Sequence, residues 1–188
     1  QGKAIHVIEE EEYFIQKGDV FVIKGNTTHT YKDINEFYIC NICYKKNELL
    51  KKEADLKKFP GFQTLFVLEP NFRSQHQFKS KLHLTPDNFS YVEEIIDLMI
   101  KDFKNQYNNY QIKVNTYFRS LIIYLAQRYV NEENNKKTQK LINIGQAVAY
   151  IENNFRKPLQ LKELAEKASL SPRHFSRIFK NNYNTSPI

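Results

Sequence analysis

The chain of 188 residues is poor in glycine and cysteine, with five and two of them, and it lacks any long apolar run. So few glycines leave no phosphate-cradling glycine loop. Without about 18 consecutive uncharged apolar residues, we expect no transmembrane helix. Hydrophobic residues still make up 41% of the sequence, which favours packed cores over disorder. The length predicts one or two globular units, and two are favoured.

The two cysteines favour a reducing, cytoplasmic compartment. Cys40 and Cys43 lie in Phe37 to Tyr44, a run rich in Phe, Tyr and Ile that predicts a strand. Residues three apart on a strand face opposite sides at about 10 Å, too far for a disulfide or a shared metal. No segment has the pattern of a signal peptide, and because the chain starts with Gln we expect its natural N-terminus to lie further upstream.

The positive charge is concentrated at the C-terminal end. Of the 28 basic and 21 acidic side chains, eight and three lie in the last 49 residues. A basic C-terminal quarter on a nearly neutral body indicates a polyanionic partner, and a solvated basic face is the alternative.

Short strands are predicted over the first 70 residues, separated by turn residues as in an antiparallel barrel or sandwich. We expect this unit to extend to about residue 80 and everything after Thr85 to be helical. The predicted strands are Ala4 to Ile8, Tyr13 to Ile15, Val20 to Ile23, Thr28 to Tyr31, Phe37 to Tyr44 and Thr64 to Leu68.

Two helices follow and form an antiparallel pair. Thr85 and Pro86 supply the N-cap and first turn of the first helix, and a second helix runs from Val114 to Tyr129. Tyr117 and Tyr124 make the apolar face of the second helix wider than one neighbouring helix covers. The barrel and a second copy of the chain are equally good candidates for covering that excess.

A polar stretch, Asn131 to Gln139, predicts a linker and a domain boundary. Beyond it the apolar stripe of Ile144, Val148, Ile151 and Phe155 predicts a further helix.

Residues 161–180 have the pattern of a helix-turn-helix. A short helix carries the small residue Ala165, Leu170 lies in the turn, and Ser171 and Pro172 start a second helix. One face of that helix is apolar. The opposite face carries Arg173, Ser176, Arg177 and Lys180, residues suited to base edges and phosphates, and His174 is a candidate phosphate contact.

Residues 155–188, FRKPLQLKELAEKASLSPRHFSRIFKNNYNTSPI, resemble the first half of the DNA-binding domain of AraC/XylS-type transcription regulators. The resemblance implies a homodimeric bacterial activator that binds double-stranded DNA and RNA polymerase. Gln160 and Ser169 depart from the family's usual capping residue and glycine, at a cost of about 1 kcal/mol each. The family carries a second helix-turn-helix after this one, so we expect the chain to be a fragment.

Residues 18–31, GDVFVIKGNTTHTY, are similar to a motif of the cupin barrel that senses ligand in this family, and residues 59–73, FPGFQTLFVLEPNFR, resemble the stretch after that barrel in rhamnose-responsive members. These resemblances imply a small-molecule effector, with sugars as one class. By chemistry and strand placement, the candidate ligand residues are His29, Tyr31, Tyr38, Asn41 and Glu69.

We expect no catalytic residues, metal or cofactor. His29 alone occupies a metal-cupin motif position, since His6 and Glu9 to Glu12 have the wrong spacing. No nucleophile, base and orienting group occur in a known order, and His76 and His83 receive no role.

The predicted fold is therefore α+β: a cupin-like β-barrel over residues 1–84, a helical hairpin for dimerisation over 85–130, a linker over 131–139 and an incomplete all-α helix-turn-helix unit over 140–188. The predicted function is a ligand-responsive, sequence-specific transcription regulator, with carbohydrate metabolism genes as its targets. The alternative is a cupin-type binding protein or enzyme whose C-terminal helices are structural.

Overall fold

The polypeptide begins as strands and continues as helices. The computed structural model describes residues 2–74, 81–131 and 136–188. The strands are β1 (Lys3–Ile8), β2 (Glu11–Gln16), β3 (Asp19–Val20), β4 (His29–Asn35) and β5 (Leu82–His83). The helices are α1 (Lys46–Lys52), α2 (Pro60–Phe62), α3 (Glu69–Ser74), α4 (Pro86–Asn105), α5 (Tyr110–Asn131), α6 (Lys136–Asn154), α7 (Leu161–Lys167) and α8 (Pro172–Tyr183).

The strands form two small antiparallel sheets. One has the order β2-β1-β4, and the other pairs β3 with β5. In the first sheet His6 of β1 lies opposite Tyr13 of β2 and Tyr31 of β4. Among the described residues the strands do not close into a barrel. The predicted mixture of sheet and helices is therefore confirmed, whereas the predicted barrel is not.

Two strand predictions are wrong, and a third, Val20 to Ile23, is confirmed only at Val20. Thr64 to Leu68 lies in a π-helical turn, Gln63–Leu68, because an apolar run buried on every side has no periodicity that separates strand from helix. Phe37 to Tyr44 forms no regular element, and it follows Glu36, whose φ of 45° turns the chain out of β4. Cys40 and Cys43 are therefore exposed loop residues instead of strand residues.

The helical hairpin forms as the sequence predicts. The Thr85 side chain accepts a hydrogen bond from the Asn88 amide at 3.4 Å, and α4 ends where Gln106 adopts a left-handed φ of 49°. Tyr117 and Tyr124 of α5 are half-buried against the core of their own chain. The chain itself thus covers part of the wide apolar face of α5.

Two further sequence predictions, the linker and the apolar stripe after it, concern the two ends of α6. Residues 136–139 lie inside α6, and residues 132–135 of the expected linker lie outside the described residues, as does His76. At the other end of α6, Phe155 is 64% exposed and does not continue the buried stripe. None of the described helices is long and apolar enough to cross a membrane.

One helical stretch, residues 60–74, connects all parts of the fold, and we call it the central segment. It runs through α2, the π-helical turn and α3, and every residue from 61 to 73 is buried. Leu65 and Phe66 pack into the core of the hairpin, and Leu68 and Phe72 pack into the core of the helix-turn-helix. Arg73 contacts the strand region, where it donates a hydrogen bond to the Val22 carbonyl at 3.2 Å.

Candidate nucleic-acid interface

The motif of α7 and α8 is built on a tight turn. Ser169 holds a left-handed φ of 54°, and the Leu170 amide donates to the Ala165 carbonyl at 2.9 Å. Such a φ costs a non-glycine residue about 1 kcal/mol, which agrees with the sequence prediction at this position. Gln160 at the start of α7 makes no side-chain capping bond, also as predicted.

The start of α8 is capped. The Ser171 hydroxyl accepts a hydrogen bond from the His174 amide at 3.3 Å, and Pro172 occupies the first turn, where its missing N–H is not needed. The inner face of α8 is sealed by Phe175, Ile178 and Phe179, all buried against Leu164 and neighbouring apolar residues of α6. Burial of this face fixes which side of α8 is presented to a partner.

The outer face of α8 is basic and available. Arg173, Arg177 and Lys180 are exposed and Ser176 is partly exposed. None of the three basic residues forms an ion pair with another described residue. The structure thus brings the predicted DNA-facing side chains together on one solvent face.

His174 lies at the edge of that face. It is partly exposed, and burial lowers the pKa of its imidazole, followed by the positive charges of Lys140 and Arg177. Lys140, which the sequence analysis did not single out, comes from α6 on a different part of the chain.

The central segment holds the motif to the rest of the chain. Asn71 Nδ2 donates to Asn182 Oδ1 at 2.7 Å. The Tyr183 hydroxyl donates to Gln63 Oε1 at 2.9 Å. Tyr183 is partly buried, and desolvation raises the pKa of its phenol, which therefore stays neutral. Two polar bonds and a shared apolar core therefore attach α8 to the centre of the fold.

Two of the predicted ligand residues lie together in the first sheet. His29 Nδ1 lies 3.1 Å from Nε2 of the buried His6, and the His6 ring stacks on Tyr31 with centroids 4.4 Å apart. Burial lowers the pKa of His6 to about 4, with smaller contributions from His29 and Arg73. The His29 side of this pair is exposed to solvent.

The tautomers of this pair follow from burial. Nδ1 of His6 is buried without a hydrogen-bond partner among the described residues. A buried unpaired N–H costs more than a buried unpaired lone pair, so the His6 proton sits on Nε2 and points at His29. The described residues hold no group of three or more His, Cys, Asp or Glu that could bind a metal.

The other predicted ligand residues lie elsewhere. Glu69 is buried in α3 and paired with Arg73, whose guanidinium lies 5.3 Å from the centroid of the Phe21 ring. Tyr38 and Asn41 are exposed in the irregular stretch after β4. Phe21 contacts the His6 ring edge-on at 4.9 Å, so it links the histidine pair to the central segment.

Arg73 was missed, and His6 was considered only as a metal ligand, although each had a signal. His6 shares its strand face with Ala4 and Ile8, so alternation already placed it inside the sheet. Glu69 and Arg73 are four residues apart, the spacing of a helical ion pair, but the expectation of a strand just before them hid it. No pattern in the sequence around Lys140 indicates that this residue lies beside α8.

A short helix, a tight turn and a capped second helix with a basic outer face define a helix-turn-helix segment of the kind that reads DNA. Residues 151–188 match the family model "Bacterial regulatory helix-turn-helix proteins, AraC family". The C-terminal part of the chain thus matches the helix-turn-helix of this family, and the resemblance stated from residues 155–188 is confirmed.

Characterised proteins that match include the HTH-type transcriptional activator RhaR of Salmonella paratyphi B, Salmonella newport and Salmonella typhimurium, each 33% identical over 63 residues. The aligned stretch is 34% of this chain and 22% of each relative, so the similarity spans about a fifth of the relatives' own length. No solved structure matches the chain.

Proposed function

We propose that the chain is part of a ligand-responsive, sequence-specific transcription regulator of the AraC type. The observation that carries the proposal is α8, which is capped at Ser171 and buries its aromatic face while it leaves Arg173, Arg177 and Lys180 in solvent. The similarity to the activator RhaR supports activation as the sign of regulation.

In this proposal α8 lies in the major groove. Arg173, Ser176 and Arg177 project toward base edges, and an arginine fork on guanine O6 and N7 supplies sequence preference. Lys180, one turn further along, meets a phosphate, and α7 crosses the backbone. Since Arg173 and Arg177 have no ion-pair partner among the described residues, DNA does not have to displace one.

The ligand response is proposed for residues 1–84, as part of a cupin-like sensor. A polar effector such as a sugar would use the exposed His29 and the adjoining Tyr31, since a sugar site needs hydrogen-bonding groups beside an aromatic surface. Phe21 and Arg73 connect this place to the central segment, which also packs against the helix-turn-helix core. An effector bound at the sheet can thereby change the position of α8.

Dimerisation through the hairpin, contact with RNA polymerase and a cytoplasmic location are proposed from the family. The hairpin keeps large apolar side chains exposed beyond the half-covered α5 tyrosines, among them Phe103 at 59% and Ile112 at 66%. Sedimentation at tens of micromolar, where modest interfaces associate, tests the dimer, and a monomer there contradicts it.

Fluorescence anisotropy with a labelled duplex at low salt tests the DNA proposal. The chain should bind with micromolar or weaker affinity, and the Arg173→Ala/Arg177→Ala variant should lose most of that binding because two cationic contacts are gone. The matched control removes two exposed lysines from α4, Lys101→Ala/Lys104→Ala, and should bind like the parent. Equal binding by all three proteins would show that α8 is not the reader and would favour structural helices.

A further inference from the structure

A small cleft lies along one edge of the basic face of α8. It encloses about 160 Å³ between α8, the beginning of α6 and the end of the central segment. Its lining residues are Phe72, Lys140, His174, Arg177, Ile178, Asn181 and Asn182.

The described residues that line the cleft carry positive charge, and none of them is acidic. Lys140, His174 and Arg177 converge on it, and both Lys140 and Arg177 act on the His174 imidazole strongly enough to lower its pKa beyond the effect of burial. Asn182 is already engaged, since its side chain bonds to Asn71 and to the Ile178 carbonyl. The exposed amide of Asn181 adds an uncharged polar group at the rim.

The position of the cleft relative to the reading face follows from helical geometry. At about 100° per residue, Arg173, Ser176, Arg177 and Lys180 form one side of α8, and Asn181 and His174 lie next to Arg177 on its flank. A helix about 10–12 Å wide fills the major groove, which is about 12 Å across, so its flanks face the sugar-phosphate walls. The cleft is therefore on the flank that meets a wall when Arg173 and Arg177 meet the bases.

We propose that this cleft binds one phosphate of the DNA backbone, with Lys140 of α6 and His174 of α8 as the binding residues and Arg177 shared between phosphate and base. The inference rests on the proposed function and extends the interface to a helix that precedes the helix-turn-helix. Lys140 supplies the charge, and a ring N–H of His174 supplies a hydrogen-bond donor. Two elements distant in sequence then fix the register of α8 along the groove.

The test uses the 188-residue chain and a labelled duplex of arbitrary sequence, followed by anisotropy from 25 to about 200 mM salt, a range in which phosphate contacts dominate affinity. Lys140→Gln should weaken binding roughly three- to tenfold at about 100 mM salt and reduce the slope of log K against log salt by about one unit, because one released counterion is lost. His174→Gln should weaken binding less than Lys140→Gln does, since it removes one ring N–H donor and leaves the charge of Lys140 in place. Lys104→Gln, on the distant α4, is the matched control and should change neither.

The outcomes separate the inference from the function on which it rests. If the parent binds the duplex and Lys140→Gln has the parent's affinity and slope, the phosphate site is wrong while the function stands. If the parent itself fails to bind at 25 mM salt, the proposed function is contradicted. A second experiment uses inorganic phosphate at 10 mM and follows its binding through the His174 ring resonances. If phosphate binding is saturable and is lost in Lys140→Gln, while duplex binding is unchanged in that variant, the cleft is a site for free anions. That result would overturn the assignment to DNA.

Discussion

Gly145 of α6 and Thr64 of the central segment lie in direct contact, and a Cβ added to Gly145 would overlap Thr64 Oγ1. The same Cβ would lie 2.9 Å from the Pro60 carbonyl oxygen, which already accepts a hydrogen bond from Thr64 Oγ1 at 2.8 Å. Backbone and a fixed hydroxyl surround the position, so neither can move aside cheaply. The helix that leads into the helix-turn-helix therefore meets the core of the fold at a point with no spare volume.

Gly145→Ala should therefore destabilise the chain by about 1–3 kcal/mol, the usual cost of overpacking, even though alanine is the better helix former. Urea unfolding followed by circular dichroism measures it. Gly25→Ala is the matched control, because a Cβ at Gly25 meets nothing within 4 Å. A Gly145→Ala protein as stable as the parent would show that α6 and the central segment do not pack as described.

Arg177→Ala should cost about 1–3 kcal/mol on the preferred site and relax sequence preference at one base position. The loss arises because a bidentate contact to a guanine disappears. The measurement is anisotropy on a duplex selected for tight binding and on single-base variants of it. Unchanged discrimination at every position would contradict a reading role for Arg177.

Lys180→Ala should weaken binding to all sequences alike and reduce the salt slope by about one unit. Its side chain lies a turn beyond Arg177 on α8, where a phosphate and not a base edge is expected. Titrations on specific and random duplexes at several salt concentrations separate the two roles. A loss confined to the specific duplex would mean that Lys180 reads a base.

The His6 imidazole makes the free energy of unfolding depend on pH. Its pKa in the folded chain is about 4, below the ordinary 6.5, so the unfolded chain takes up a proton first as the pH falls. The contribution of His6 to the free energy of unfolding is fully present above about pH 6.5 and is lost as the pH falls toward 4, a loss of at most about 3 kcal/mol. His6→Leu keeps an apolar group between Tyr31 and Phe21 and should flatten the curve over this range. The free energy of unfolding is measured in urea at several pH values for both proteins. The same pH dependence in the parent and in His6→Leu would contradict this account.

The helices after Thr85 were predictable because their caps and apolar spacings are local. Thr85 and Ser171 accept the capping bonds expected of them. The central segment was not predictable in the same way, because its residues are buried on all faces and leave no polar face to mark a period. Its helical form depends on contacts with α5 and α6, such as Gly61 against the Ala126 carbonyl, which lie far away in sequence.

The reading face of α8 could be placed from the sequence, whereas the cleft beside it could not. Arg173 and Arg177 share a helix, so their common face follows from spacing alone. Lys140 reaches the same place only because α6 and α8 share one apolar core, a relationship that no local pattern encodes. The His6–His29 pair is intermediate: alternation places His6 inside the sheet, but the register of β1 with β4 decides that His29 meets it.

The thirteen consecutive buried residues from 61 to 73 have a consequence for genetics. A screen for mutants that lose regulation will collect substitutions there in a dense band, although the side chains in this stretch are buried. Such mutants would resemble mutants that have lost a contact with DNA or with an effector, because one displaced side chain disturbs the hairpin, the sheet and the helix-turn-helix at once. Solubility and thermal melting of each mutant protein, measured before its phenotype is interpreted, distinguish residues that contact a partner from residues that hold the parts of the molecule together.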